Sequence, residues 1–188
     1  MDKFQLSDKN KNSASIEELK FIFSQSECLL KETLQNADNV VNRSFILLGF
    51  LLGGITPVIG ILFNNFNKIL TPINISLIIL AVYIAYIIRK IYFNLKGTIY
   101  KFTGSQPKDL FHDWYFDNYK IEKDRERQFI IGEIESYQKR ITNNSLINDG
   151  KWKAFDECMV CSIFIPIVFA VSLITLNLSW QALSSICS

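Results

Sequence analysis

The sequence predicts an all-α membrane protein in which three transmembrane helices join cytoplasmic amphipathic helices to form a helical bundle. Three observations predict this. Ser44–Asn67, Ile69–Ile88 and Cys158–Ser188 contain no Asp, Glu, Lys or Arg, so all 20 basic and 18 acidic residues fall elsewhere. Each of these stretches reaches the roughly 20 apolar residues that a bilayer core about 30 Å thick requires. The charged stretches carry apolar residues at steps of three and four, the helical period. A net charge of +2, four cysteines and 13% aromatic residues argue against a duplex nucleic-acid binder, a disulfide scaffold and a disordered chain.

Residues 1–14 are rich in Lys, Asn, Asp and Ser and read as a flexible tail. Ser15 with Glu18 three residues on has the capping-box pattern that opens a helix. Ile16, Leu19, Phe23, Leu30, Ala37 and Val41 then give residues 15–43 an apolar stripe. The first span is 44–63 and the second 70–88, joined by a turn over Asn64–Ile69. Residues 89–157 form a second cytoplasmic helical region. Its first part, Arg89 to Phe102, continues the helix, and Gly104, Ser105 and Pro107 break it. Asp109 to Tyr119 is dense in aromatics without a clean period. From Ile121 the helical pattern returns, and Ile130, Ile134, Tyr137 and Ile141 make a stripe suited to the N-terminal helix. Asn148-Asp149-Gly150 either ends that helix or lies within a continuous one that enters the third span, 159–180.

Lys and Arg are retained on the cytoplasmic side of a membrane. Arg43, Arg89, Lys90, Lys96, Lys151 and Lys153 flank the spans at one side, against Lys68 alone at the other. The expected topology is multi-pass in a bacterial inner membrane, with the N-terminus in the cytoplasm and the C-terminus outside. No signal peptide is expected from the polar first 15 residues.

The residues that carry chemistry are few. Cys158 and Cys161 form C-x-x-C, but a structural metal site needs two further ligands, and the three-residue spacing equally packs two small apolar side chains on one face. His112, the sole histidine, lies between Asp109 and Asp113, an ordinary loop arrangement. There is no Gly-rich phosphate loop, no nucleophile elbow and no charge inside a span to relay protons. The expectation is a protein that is not an enzyme and holds neither metal nor cofactor.

Three constellations are candidates for binding. Gly49 and Gly53 form G-x-x-x-G, with Gly54 beside them, which lets helices approach closely in lipid, within one chain or between copies. Ser172, Thr175 and Ser179 share a stripe of the third span, with Ser162 on the same side. Those hydroxyls either bond back to their own helix or line a polar path in an oligomer. Trp114, Tyr115, Arg125, Arg127, Lys139 and Arg140 supply ring faces and phosphate donors for an anionic, stackable ligand. The plainer reading is a solvated helix in which acids and bases alternate.

The order of amphipathic helix, two close spans, cytoplasmic helices and a last span resembles small bacterial anti-phage membrane effectors of the Pycsar type, and is similar in style to SLATT-type effectors. Ala37-Asp38 before the first span and Tyr137-Gln138-Lys139-Arg140-Ile141-Thr142-Asn143-Asn144 before the third carry the resemblance. It implies an oligomeric effector that perturbs or permeabilises the membrane when an intracellular cyclic nucleotide or oligonucleotide is sensed. The alternative is a non-conducting accessory subunit that tethers a soluble partner to the membrane.

Overall fold

A computed structural model describes residues 13–65, 70–104 and 113–186. Five helices run along them: α1 (Ile16–Asn64), α2 (Pro72–Leu95), α3 (Asp113–Asn118), α4 (Glu122–Ile163) and α5 (Ile165–Ile186). No strand occurs among the described residues. Three lengths are long and apolar enough to cross a membrane: one in α1, one in α2 and one in the run from Glu122 to Ala182. Most of the expected tail, together with Lys68, Asp109 and His112, lies outside the described residues.

The chain divides into two compact units. The first comprises Met1–Asp38 and Thr98–Asp149, the second Asn39–Gly97 and Gly150–Ser188. In the first unit α1 opens with the reciprocal box that its sequence encodes. The Ser15 N–H donates to Glu18 Oε2 at 2.7 Å, and the Glu18 N–H donates to Ser15 Oγ at 3.2 Å. Two of the four amides that no helix can satisfy at its own start are thereby occupied. Downstream, Leu19 is buried with Ile131 and Ile134, and Leu30 with Tyr137 and Ile141. Phe23 packs against both clusters and meets the Tyr137 ring edge-on at 5.3 Å. The stripe expected from Ile134, Tyr137 and Ile141 is therefore the surface that receives α1. Ile131 occupies its first position, with Ile130 partly buried beside it. Arg127 donates to the Ala14 carbonyl at 2.6 Å, and Lys20 pairs with Glu126 at 2.8 Å on the exposed side.

In the second unit Leu51, Leu77, Leu80, Ile84, Ile87, Ile91 and Cys158 form one buried cluster, with Leu47, Ile55, Val58 and Leu62 of α1 packed on it. α2 also packs against α5. Tyr83 donates its hydroxyl to the Cys161 carbonyl at 2.9 Å. Cys158 is buried and Cys161 half-buried in this apolar core, so the C-x-x-C spacing serves packing here.

Two boundaries differ from the sequence expectation or resolve it. The helical continuation expected to Phe102 stops at Leu95, where Lys96 leaves helical geometry at φ −51° and ψ 129°. Gly97, Thr98 and Ile99 follow, a glycine and two β-branched residues that favour other conformations. At Asn148-Asp149-Gly150 the helix continues, and α4 ends only at Ile163. There Pro166 supplies the break: the Phe164 amide reaches back three residues to the Cys161 carbonyl at 3.2 Å before α5 resumes.

Ser15→Ala is expected to cost about 1 kcal/mol, read as faster hydrogen exchange in the first turn of α1 in the intact protein. The Ser15 amide, and then its hydroxyl, hold the Glu18 carboxyl below its ordinary value. A depressed carboxylate contributes stability that is complete above its unfolded value and is lost as pH falls through the folded one. The protection factor of this turn, which corrects for the slowing of intrinsic exchange in acid, should therefore fall on acidification, and Glu18→Gln should remove that dependence.

Candidate functional site

Helix interiors rarely favour Asn, because its amide competes for backbone partners. α4 nevertheless carries Asn144 and Asn148 one turn apart, 0% and 5% exposed. Each finds a partner across the first unit. Asn144 Oδ1 accepts from the Lys101 N–H at 3.0 Å, and Nδ2 donates to the Lys101 carbonyl at 2.9 Å and to Thr33 Oγ1 at 3.3 Å. Asn148 Nδ2 donates to the Thr33 carbonyl at 2.7 Å. Thr33, itself buried, donates its hydroxyl to the Leu30 carbonyl at 2.7 Å. Asn148 Oδ1 is buried with no hydrogen-bond partner among the described residues, so the layer is not fully satisfied.

The same face of α4 holds the stretch after Gly97. Tyr137 accepts at its hydroxyl from the Gly104 N–H at 3.1 Å. Arg140 donates to the Gly104 carbonyl at 2.6 Å and to the Phe102 carbonyl at 3.3 Å. Tyr137, Arg140 and Asn144 lie at steps of three and four, so one helix face grips the backbone of three residues between Lys101 and Gly104. Gly104 has φ +84°, a left-handed conformation that a side chain would strain. Burial raises the Tyr100 phenol above its ordinary value, a Thr98 hydrogen bond opposes the rise and the Asp38 charge adds to it. Tyr100 is therefore neutral at physiological pH.

This clamp accounts for one of the bases proposed for ligand binding, and the others lie elsewhere. Arg140 is engaged with carbonyls and its guanidinium lies 5.4 Å from the Tyr137 ring. Arg127 is engaged with Ala14, Arg125 stacks over Phe116 at 5.0 Å, and Lys139 is exposed. Trp114 meets Tyr119 edge-on at 5.6 Å, and the Tyr115 side chain lies outside the described residues. These contacts are with different neighbours: Arg127 with Ala14, Arg125 with Phe116, Arg140 with Phe102 and Gly104, and Trp114 with Tyr119. Sequence reasoning missed Thr33, Asn144 and Asn148 as a group, although two asparagines at helical spacing in a charged helix were a usable signal.

In the second unit Gly49, Gly53 and Gly54 line an open groove of about 520 Å³ with Ile46 and Phe50. A Cβ built on any of these glycines, or on Gly60, meets nothing within 4 Å. The buried face of this length is Ser44, Leu51 and their neighbours. No atom of the other described helices lies within 4 Å of a Cβ at these positions. The hydroxyls of α5 bond to their own helix: Ser172 to Phe169, Thr175 to Val171, Ser179 to Thr175, and Ser162 of α4 to Cys158. Thr175 and Ser179 remain on the exposed side.

No protein-family model, characterised protein or solved structure matches the chain.

Asn144→Leu should cost about 1–3 kcal/mol, because it leaves the part-buried Lys101 amide and carbonyl and the buried Thr33 hydroxyl short of partners in exchange for one apolar side chain. Lys139→Gln, on the exposed side of the same helix, should stay within about 0.5 kcal/mol. Thermal unfolding of the detergent-solubilised chain checks both. Equal stability of the two variants would mean that the clamp carries no load.

Proposed function

We propose that this chain is an oligomeric multi-pass membrane effector of bacterial defence, whose copies associate through the first span and raise membrane permeability when an intracellular nucleotide-type signal is bound. The observation that carries the reading is the open glycine face of α1. In lipid no hydrophobic drive pushes helices together, and small residues serve association by letting backbones approach. Gly49, Gly53 and Gly60 offer such a surface, and a Cβ added at any of them has no described atom of another element within 4 Å. The exposed Thr175 and Ser179 give α5 polar groups that a path between copies could use.

The signal would act on the first unit. Arg140 donates to two backbone carbonyls, and a phosphate is a stronger acceptor for a guanidinium than a carbonyl is. An anionic ligand that captures Arg140 would release Phe102 and Gly104, in the stretch that leads from α2. The N-terminus and the region 89–157 would face the cytoplasm in this reading, as the flanking bases require.

The rival reading is a non-conducting tether, and one observation favours it. Phe21, Ile22 and Leu29 of α1 are exposed apolar residues in the first unit, a surface for a soluble partner.

Gly49→Leu and Gly53→Leu separate the two. The wild-type chain in dye-loaded liposomes should leak when cyclic nucleotide or cyclic oligonucleotide is added, and each variant should lose both leakage and oligomer while its own unfolding stays within about 0.5 kcal/mol. Leakage that is absent with every signal, together with a stable one-to-one partner complex that survives both changes, would favour the tether and overturn the effector.

A further inference from the structure

A groove of about 320 Å³ in the second unit is lined by Lys90, Phe93, Asn94, Ala154, Glu157 and Cys158. That volume is at the lower end of the range, about 300–1,000 Å³, in which small-molecule sites fall. Lys90 Nζ donates to Glu157 Oε2 at 3.2 Å, and the two side chains are 37% and 52% exposed. The Lys90 ammonium also lies 5.7 Å from the Tyr86 ring centre. Asn94 donates to the Lys151 carbonyl at 3.2 Å, and its side chain is fixed by that bond at the edge of the groove.

The position of the pair in the sequence sharpens its meaning. Lys90 comes two residues after the apolar stretch 70–88, and Glu157 two residues before the apolar stretch 159–180. Both charges thus stand where their helices leave apolar lengths. From Lys90 back along α2, Tyr86, Val82 and Ile79 recur at steps of four, four and three, all exposed. From Glu157 forward, Val160 and Phe164 follow at steps of three and four, also exposed. The pairs Tyr83–Cys161, Lys90–Glu157 and Asn94–Lys151 follow in opposite order along the two helices, which therefore run antiparallel through this stretch. One cation and one anion therefore head two exposed apolar tracks.

We infer that this groove binds an amine-bearing glycerophospholipid of the cytoplasmic leaflet, with the phosphodiester on Lys90, the primary ammonium on Glu157 and the acyl chains along the two tracks. The inference rests on the membrane reading above. A solvent-exposed ion pair adds little to fold stability, so it can open at small cost to admit a headgroup. A zwitterionic headgroup brings an anion and a cation a few bonds apart, the complement of the pair that is already present. Its NH₃⁺ donates hydrogen bonds to a carboxylate, whereas a trimethylated amine has no hydrogen to give. A headgroup that is anionic only satisfies Lys90 and sets a like charge against Glu157.

The test uses the intact chain in nanodiscs of phosphatidylethanolamine, phosphatidylcholine or phosphatidylglycerol, followed by native mass spectrometry of the lipid retained on release. Phosphatidylethanolamine should be retained about tenfold over the other two, the worth of one charge-assisted hydrogen bond. Glu157→Gln should erase its advantage over phosphatidylcholine, and Lys90→Gln should lower retention of phosphatidylethanolamine and phosphatidylglycerol together. Both variants should melt, lipid-free, within a degree or two of the wild type because the pair is exposed. Equal retention of the three lipids by a chain that is seated in the nanodisc, or an advantage unchanged in Glu157→Gln, overturns the lipid site and leaves the membrane reading standing. A chain that does not enter nanodiscs at all overturns both.

Discussion

A stretch of twenty or more residues without a charge, placed in lipid, has one way to satisfy its own peptide groups, and that is continuous helix. The rest of the architecture follows from this constraint. Polar side chains inside such lengths turn inward on their own backbone, as Thr56 does to Leu52, Ser76 to Pro72 and Asn177 to Leu173. Each helix is thereby self-sufficient, and what remains for packing is shape. Leu51, Leu80, Ile84 and Ile87 meet in a core made of branched aliphatics, beside which Tyr83 reaches the Cys161 backbone carbonyl.

The first unit works by the opposite rule. Its helices carry charge along their length, and their shared surface is narrow: two small apolar clusters around Leu19 and Leu30. Such a surface tolerates sliding, because one aliphatic contact is much like another. The Thr33, Asn144 and Asn148 layer removes that freedom, since a displaced register would strand buried amides. Register here is specified by hydrogen bonds and adhesion by the flanking apolar residues. The same layer fixes Lys101, so a segment without helical structure inherits a defined path.

These two regimes differ in how much of them the sequence makes readable. The apolar lengths were legible because charge is absent over a distance no soluble core needs, and the start of α1 because Ser15 and Glu18 stand three apart. The face of α4 was legible from Ile134, Tyr137 and Ile141, whose spacing is local. The clamp was not, because Asn144 and its partner Lys101 are 43 residues apart and the bonds go to backbone atoms, which leave no trace in residue type. The end of α2 at Leu95 was missed for a related reason: Gly97, Thr98 and Ile99 weaken the helix only modestly by composition, and the bonds that hold the following stretch in another path, from Asn144 to Lys101 and from Arg140 to Phe102, come from far along the chain. The carbonyls that Arg127 and Arg140 hold could not be read from the sequence, because a guanidinium bound to a carbonyl and one bound to an anion are the same letter.

The glycine face of α1 shows where self-sufficiency fails. Pro57 lies inside the helix and has no N–H to give to the carbonyl of Gly53, one turn earlier. Elsewhere in the span a bulky neighbour would cover such a group, but Gly49, Gly53 and Gly60 leave the backbone bare on that side. A carbonyl short of a donor is costly in hydrocarbon, and Gly53 lines an open groove together with Ile46, Gly49, Phe50 and Gly54. Lipid tails supply no donor, whereas a closely approaching helix supplies Cα–H groups and hydroxyls. The proline and the glycines thus coincide on one side of α1: one leaves a carbonyl without its helical donor, and the others leave open space beside it.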